Sequence, residues 1–243
     1  MKKVFLLFAL ALLMSSCATT YYQVYNVESD LEESNETYVY EDEVCKLTYD
    51  LWDNNENFSY LFENKTDRDV YVFLPNCFML KNGFAFDCYT DRESIYKTAI
   101  TGTTPNLLKQ SIMVQYSDKQ LPVITIPAGS KKVIQTNQEL LSEVIYVCDN
   151  KIDFPRNETN EVVYSKSSSP LVFVNRVAYS FEKNATEYNY INNEFWISGY
   201  FNNSSTKTLV DDSYRDCHTG LMVYKSINKY TSGLRFFNNY SRK

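Results

Sequence analysis

Apolar and polar residues alternate at every second position along several stretches of the chain. The run from Phe58 to Phe62 places three aromatic residues in this alternation, and residues 45–51 repeat the pattern. A period of two is typical of a half-buried β-strand. Turn-forming sequences, such as Asn82-Gly83 and residues 127–130, separate these runs at short spacing. The pattern therefore predicts a mostly β fold, and the closely spaced turns favour a β-sandwich.

Two stretches of the chain resemble each other. Residues 58–70 and 197–209 share an order of aromatic residues, an asparagine, and then a serine or threonine. This strand–Asn–x–Ser/Thr–strand pattern resembles immunoglobulin-like sandwiches, in which such a turn joins neighbouring strands. A duplication would give a β-sandwich domain at 44–150 and a second β-rich domain at 171–243, joined by a polar linker at 151–170. Because the second segment is short for a complete sandwich, one fused β-body is the alternative.

The sharpest local signal is Asn82-Gly83 between two apolar runs, which predicts a hairpin with a type I′ turn. In that register Lys81 pairs with Phe84, and Cys77 faces Cys88 at a hydrogen-bonded position. Opposed Cα atoms at such a position lie about 5.5 Å apart, within the range of a disulfide. We expect a Cys77–Cys88 disulfide in an oxidising compartment, and two buried thiols are the alternative.

The first twenty residues have the pattern of an export signal. Two lysines precede an apolar run from Val4 to Met14, which is too short to span a bilayer as a helix. Two serines then lead directly into Cys17. Small residues before a cysteine resemble the lipobox of bacterial lipoproteins, although Met14 stands where that family usually has leucine. The resemblance implies that residues 1–16 are a removed signal peptide and that Cys17 is acylated; an ordinary secretory signal without a lipid is the alternative.

The lipobox, the Tyr-Tyr-Gln-Val-Tyr segment at Tyr21–Tyr25 and the β-rich body together resemble uncharacterised lipoproteins of the Bacteroidetes. This resemblance implies a location and no particular activity. It predicts a lipid-anchored protein of the bacterial cell envelope, in the outer membrane, with a periplasmic or surface-exposed body. The first expected partner is therefore the membrane itself, reached through acyl chains and not through a transmembrane helix.

Negative charge is concentrated close to the predicted anchor. The chain has 30 acidic and 24 basic residues, and eight of the acidic residues fall between Glu28 and Glu43, where no Lys or Arg occurs. A run of like charges is usually solvated and extended, so we expect residues 17–43 to form an acidic tether behind the lipidated cysteine. The rest of the body has no excess of positive charge, which argues against nucleic acid as a partner.

Candidate chemistry is sparse. The single histidine, His218, lies in a local cluster with Asp211, Asp212 and Asp216, which gives a candidate site for a divalent metal. An envelope hydrolase that uses carboxylates, His218 and such a metal is the alternative functional hypothesis. The chain has no glycine-rich phosphate loop, zinc-protease motif or nucleophile elbow, so we predict no cofactor and no nucleotide partner.

Aromatic residues are abundant, and Trp and Tyr rings can stack on sugar faces while their polar atoms bind hydroxyls. The candidate stacking residues are Trp52, Trp196, Tyr188 and Tyr190. Aromatic residues also fill and pair strands in β-sandwiches, so packing in the core is the competing role. The sequence as a whole favours a lipid-anchored, non-catalytic binding or structural protein, with a glycan or another envelope protein as its partner.

Overall fold

The structure is a computed structural model that describes residues 19–52, 58–91, 93–102, 110–158 and 160–242, with the backbone alone for 93–102 and 110–119. Its strands, in chain order, are β1 (Thr19–Ser29), β2 (Glu32–Ser34), β3 (Thr37–Glu41), β4 (Cys45–Tyr49), β5 (Ser59–Asn64), β6 (Val70–Phe73), β7 (Phe78–Lys81), β8 (Phe84–Asp87), β9 (Glu93–Gly102), β10 (Gln110–Lys119), β11 (Val123–Ile126), β12 (Lys131–Gln135), β13 (Val162–Val163), β14 (Val172–Ser180), β15 (Asn189–Ser204), β16 (Leu209–Arg215), β17 (Met222–Asn228) and β18 (Arg235–Arg242). Two single-turn helices, α1 (Asn150–Asp153) and α2 (Ser205–Thr208), and 3-10 turns at Leu74–Asn76 and Lys166–Ser168 complete the described elements.

The larger sheet has the strand order β11-β6-β14-β15-β1-β18, and β7, β8 and β13 add to it off this path. Its longest strand, β15, pairs along one side with β14 and then β13, and along the other side with β1. Gly199 lies where β13 pairs with β15, and a Cβ at this position would lie 2.7 Å from the carbonyl oxygen of Val162. Only glycine fits there, since no side chain can occupy that space.

The smaller sheet has the order β12-β5-β4-β3-β2, and all of its pairs are antiparallel. Its inner face packs on the larger sheet through aromatic rings. Tyr49 lies 5.0 Å from Phe195, and Tyr38 lies 5.7 Å from the same ring, both edge-to-face. Buried residues from both sheets belong to one continuous core. The predicted mostly β fold and its β-sandwich arrangement are therefore confirmed, while the immunoglobulin-like assignment stays a prediction.

The predicted division into two domains is not seen in the structure. Strand β14 pairs with β6 and β7, and β15 pairs with β1, so both halves of the chain contribute to one sheet and one core. The predicted linker 151–170 contains α1 and β13 and packs along the sheet. The alternative of one fused body describes this arrangement, because backbone pairing across the proposed boundary joins the two halves.

The prediction of an extended tether at residues 17–43 is wrong for its described part. Residues 19–29 form β1, which lies between β15 and the edge strand β18 and so pairs on both sides. The side chain of the buried Gln23 completes this packing by pairing with the backbone of Ile145, donating to its carbonyl at 2.8 Å and accepting from its amide at 2.6 Å. The apolar residues of Tyr21–Val27, five of the seven, therefore outweigh the acidic run that follows, which forms β2, β3 and their turns.

Two hairpins extend from the sandwich as separate two-stranded ribbons, β9 with β10 and β16 with β17. The second ribbon begins directly after α2 at the end of β15. Ten of its fourteen strand residues are exposed, on both faces. No helix in the described part of the chain has the length and apolar character needed to cross a membrane.

Candidate ligand-binding surface

The outer face of strands β15, β1 and β18 carries a row of apolar side chains. The strand register aligns Phe201, Val24 and Phe237 across the three strands, so their side chains point to the same side of the sheet. Tyr22 lies two residues before Val24 on β1 and therefore on the same face, with its ring 5.6 Å from that of Phe237. This face points away from the core that contains Tyr25, because successive side chains on a strand alternate between faces.

Two further aromatic residues from loops pack on this row. The Trp52 ring lies 5.0 Å from Phe237, and the Tyr230 ring lies 4.6 Å from Phe201. Val24 is fully buried beneath these rings, whereas the rings themselves are only half-buried. We call the half-buried set the outer aromatic surface; it consists of Tyr22, Trp52, Phe201, Tyr230 and Phe237.

The position of Trp52 depends on a close contact between two loops. The amide of Leu51 donates to the carbonyl oxygen of Gly233 at 2.8 Å, and the amide of Trp52 donates to Asp50 Oδ1 at 3.1 Å. A Cβ on Gly233 would lie 2.4 Å from the carbonyl oxygen of Glu36 and 2.9 Å from Asp50 Oδ1. The loop that bears Trp52 therefore depends on glycine at 233.

Polar groups lie beside and beneath the aromatic rings. Asn203, only 2% exposed, donates from Nδ2 to the Tyr230 hydroxyl at 3.0 Å, and its Oδ1 has no hydrogen-bond partner among the described residues. Arg235 Nε donates to Asn26 Oδ1 at 2.7 Å on the same face. Asn203 is buried beneath the surface, which thus combines flat apolar rings with the hydroxyl groups of Tyr22 and Tyr230 and the guanidinium group of Arg235. Such a combination can bind a molecule that has both apolar faces and hydroxyl groups.

The other predicted stacking residues do not join Trp52. Trp196 is only 8% exposed, and the Lys166 ammonium lies 4.8 Å from the centre of its ring. Tyr190 lies six residues before Trp196 on β15, a separation of about 20 Å along a strand. The Tyr188 ring packs against Phe73 at 4.8 Å. The predicted set of four is therefore not one site, and Trp52 alone belongs to the outer aromatic surface.

Sequence reasoning did not identify Tyr22, Phe201, Tyr230 or Phe237. Their proximity follows from β1 pairing with both β15 and β18, which are far away in sequence. The alternation of apolar residues in each strand was the available signal, but it gives no information about which strands are neighbours.

The predicted metal site at Asp211, Asp212, Asp216 and His218 is wrong. On β16, Asp211 pairs with Ser226 and Asp212 with Lys225, and adjacent strand residues point to opposite faces. Asp216 Oδ1 accepts hydrogen bonds from the amides of His218 and Thr219, which lowers the pKa of the carboxyl group; the Thr219 bond makes the larger contribution. Among the described residues no three His, Cys, Asp or Glu side chains converge on a common point. Local turn formation therefore accounts for this cluster.

The predicted hairpin register at Asn82-Gly83 is confirmed. Both turn residues have positive φ, at 48° and 84°, and Lys81 pairs with Phe84 as expected for a type I′ turn. Cys77 and Cys88 are buried free thiols in the structure. Burial raises the pKa of each thiol to about 12. The disulfide between them stays a prediction.

Comparisons with known proteins found no matching family model, no matching curated protein and no matching solved structure.

Proposed function

We propose that the protein is a lipid-anchored, non-catalytic binding module of the bacterial cell envelope, and that the outer aromatic surface binds a glycan. The observation that supports this proposal best is the group of half-buried rings on one sheet face, with tyrosine hydroxyls and the Arg235 guanidinium beside them. Sugar rings present flat C–H faces and equatorial hydroxyls, which match aromatic rings and these polar groups respectively.

The anchor part of the proposal rests on the sequence before β1. The apolar run ending at Met14, the two serines and Cys17 match the lipobox pattern. One residue, Ala18, separates Cys17 from the start of β1 at Thr19. Two or more acyl chains would hold such a protein stably on a membrane, because each buried methylene contributes about 0.8 kcal/mol. The lipid would be a membrane anchor, separate from the glycan surface.

The chain has two tryptophans, which makes a direct test of the glycan proposal available. In the Trp196→Phe variant, Trp52 is the sole tryptophan, and its fluorescence reports on the outer aromatic surface. We expect titration with soluble peptidoglycan fragments, a mannan or a β-glucan to change the Trp52 emission saturably. Affinity electrophoresis in gels containing the same polysaccharide then measures the loss of binding in Trp52→Ala and Tyr22→Ala.

Tyr190→Ala is the matched control, because Tyr190 is an exposed aromatic residue on the same sheet but outside the outer aromatic surface. We expect it to bind like the parent protein, whereas Trp52→Ala loses at least tenfold in affinity at an unchanged melting temperature. If none of these polysaccharides or peptidoglycan fragments changes the Trp52 emission, the glycan assignment is refuted. Equal binding by Trp52→Ala and Tyr190→Ala would also refute it.

A further inference from the structure

The β16–β17 ribbon exposes apolar side chains that the sandwich does not cover. Tyr224 is 78% exposed and Leu221, in the connecting turn, is 68% exposed. Val210, Tyr214 and Met222 on the same ribbon are each exposed by nearly half. Met222 and Tyr224 lie on one face of the ribbon and Val210 and Tyr214 on the other, so both faces expose apolar groups, which indicates a contact surface.

The base of the ribbon lies at the end of the sandwich where β1 begins. Tyr21 pairs with Ser204, the last residue of β15, and α2 follows directly and contacts β1. The amide of Lys229, just after β17, donates to the carbonyl oxygen of Thr208 at 3.0 Å and closes the base. The ribbon and the first residue of β1 therefore emerge from the same end of the body.

The connection between the predicted lipid and the body is very short. From Cys17 to Thr19 there are two residue steps, which span at most about 7 Å when fully extended. Each strand of the ribbon has seven residues and is about 23 Å long. An acylated Cys17 would thus hold the start of β1 close to the bilayer. That distance is shorter than the ribbon that projects from the same end.

This end of the body carries both basic and acidic side chains. Its basic side chains are Lys151, Arg156, Lys207, Lys229 and Arg242. Three of them, with the loop 149–158, line an open cleft of about 840 Å³. Acidic groups are also present here: Glu158 pairs with Lys229 at 2.9 Å, Asp149 accepts from the amide of Lys151, Asp153 is buried, and Glu161 lines the cleft.

The ribbon itself has three acidic residues, Asp211, Asp212 and Asp216, and two basic residues, Arg215 and Lys225. Asp212 lies 3.8 Å from Lys225, and Asp211 accepts from Ser226 at 3.2 Å. By contrast, Glu28 lies nine residues along β1 from Thr19, about 30 Å from the basic end. The acidic segment therefore lies away from the predicted anchor, and the end nearest the anchor carries basic side chains that can bind anionic headgroups.

We propose that the β16–β17 ribbon is a membrane-contacting element, which lies in the headgroup region of an anionic bilayer beside the acylated Cys17. This inference rests on the lipid anchor of the proposed function. Tyrosine favours the membrane interface, where its ring is apolar and its hydroxyl is hydrated. The basic residues at the base of the ribbon contact lipid phosphates.

A native cysteine allows a direct test. Cys217 lies between β16 and β17 and is exposed, whereas Cys45, Cys77 and Cys88 are buried; Cys148, the other exposed thiol, is replaced by serine. An environment-sensitive NBD probe is attached to Cys217. Its emission is compared in two preparations that contain vesicles of phosphatidylglycerol and phosphatidylethanolamine. One is the acylated Cys148→Ser protein, reconstituted into the vesicles. The other is the unlipidated mature chain with Cys17→Ser and Cys148→Ser, added at high lipid concentration.

We expect a blue shift of the probe emission and quenching by doxyl-labelled lipid, but weak quenching by aqueous iodide. Leu221→Ser with Tyr224→Ser should remove the blue shift. The matched control is a probe at Phe84→Cys in a Cys148→Ser, Cys217→Ser background. Phe84 is 72% exposed, like the ribbon residues, but its hairpin lies beside Val172, which pairs with Trp196, eight residues along β15 from Ser204. This probe should therefore stay in water.

The intact mass of the protein shows whether Cys17 is acylated, independently of the probe on the ribbon. If Cys17 is acylated but the Cys217 probe stays in water in both preparations, the anchor stands and the ribbon proposal is overturned. If no acyl group is found and the unlipidated probe still enters lipid, the ribbon proposal is supported and the anchor fails. If adding a soluble protein in the absence of lipid causes a blue shift as large as the vesicles do, the proposal is also overturned, since the ribbon then binds a protein partner.

Discussion

The amide of Cys88 donates a hydrogen bond to the carbonyl oxygen of Cys77 at 3.3 Å across the β7–β8 hairpin. The two residues therefore oppose each other at a hydrogen-bonded position, two residues beyond the Met79–Phe86 pair. Cys77 Sγ also accepts a hydrogen bond from the Ala178 amide at 3.3 Å, next to the 3-10 turn that separates β6 from β7. The Cys77 sulfur therefore accepts an amide hydrogen bond that a backbone carbonyl would otherwise accept, at the point where the pairing between strands is interrupted.

This geometry predicts that Cys77 and Cys88 form a disulfide in an oxidising compartment. Two thiols would transfer two electrons and lose two protons to the disulfide of a thiol-oxidising enzyme, so the chain becomes lighter by two hydrogens. Closing this twelve-residue loop should stabilise the fold by up to about 3 kcal/mol, less any strain in the bond. The measurement is the intact mass and the peptide map after alkylation in denaturant, with and without reduction.

The control for this prediction is Cys77→Ala with Cys88→Ala, in which a reductant should no longer change the melting temperature. Cys148→Ser should behave like the wild type, because that thiol is exposed and lies outside the hairpin. Alkylation of both hairpin cysteines in protein taken from an oxidising compartment would contradict the prediction.

A second prediction concerns a buried polar cluster between the sheets. The Tyr49 hydroxyl accepts from Asn193 Nδ2 at 2.7 Å and from Asn175 Nδ2 at 3.1 Å, and all three side chains are at most 1% exposed. Tyr49→Phe leaves two buried amide groups without their acceptor. We expect a loss of about 2 kcal/mol in the free energy of unfolding, measured by urea titration.

The control is Tyr224→Phe, which removes the same hydroxyl from an exposed ring and should change stability by less than about 0.5 kcal/mol. If both variants unfold at the same urea concentration, the cluster contributes no net stability. Trp52 emission should be unchanged in either variant, since neither residue contacts the outer aromatic surface.

A third prediction concerns acid. Partial burial on its own would raise the pKa of Asp42, but hydrogen bonds from the Cys45 amide at 2.7 Å, the Tyr40 hydroxyl at 2.9 Å and the Val44 amide at 2.8 Å hold it below its ordinary value. A lowered folded-state pKa stabilises the protein above the unfolded pKa of about 3.9, and this contribution disappears as the pH falls through the folded pKa.

Asp42→Asn should therefore be less stable than the wild type at neutral pH, and the difference should shrink below about pH 4. The measurement is the free energy of unfolding at several pH values. Glu41→Gln is the control for a neighbouring surface carboxylate, which pairs with Lys65 in an exposed position and should contribute little. A constant difference between Asp42→Asn and wild type at all pH values would show that ionisation of Asp42 is not involved.

Local features of the fold could be predicted from the sequence because neighbouring residues determine them. Asn82-Gly83 requires positive φ at both positions, and the hairpin register follows by counting outward from that turn. The alternation in residues 45–51 and 58–62 likewise predicted β4 and β5. In each case the deciding interactions lie within a few residues.

Long-range pairing could not be predicted in this way. Val24 meets Phe237 and Phe201 only because β1 is inserted between β15 and β18, and one strand's alternation does not specify its partners. The acidic run after Glu28 suggested a solvated tether because charge density was considered without the apolar strand before it. The outer aromatic surface depends on these distant pairings, so only Trp52 was among the candidates.

The last prediction connects the fold to the proposed glycan surface through Gly233. A methyl group at this position would overlap the Glu36 carbonyl oxygen and crowd Asp50, and two backbone segments would have to separate. Gly233→Ala should therefore cost about 1–3 kcal/mol and displace the loop whose Leu51 amide donates to residue 233. In a Trp196→Phe background, Trp52 emission should shift to the red, since the ring loses its packing on Phe237.

Gly129→Ala separates this overlap from ordinary backbone strain. Gly129 has φ of 60° and open space around it, so its alanine variant should also lose stability but leave the Trp52 emission unchanged. If Gly233→Ala weakens polysaccharide binding while Gly129→Ala, compared at equal fractions of folded protein, does not, then the Gly233 contact positions Trp52 for its ligand. Equal effects of both variants on binding would mean that Trp52 does not need this contact.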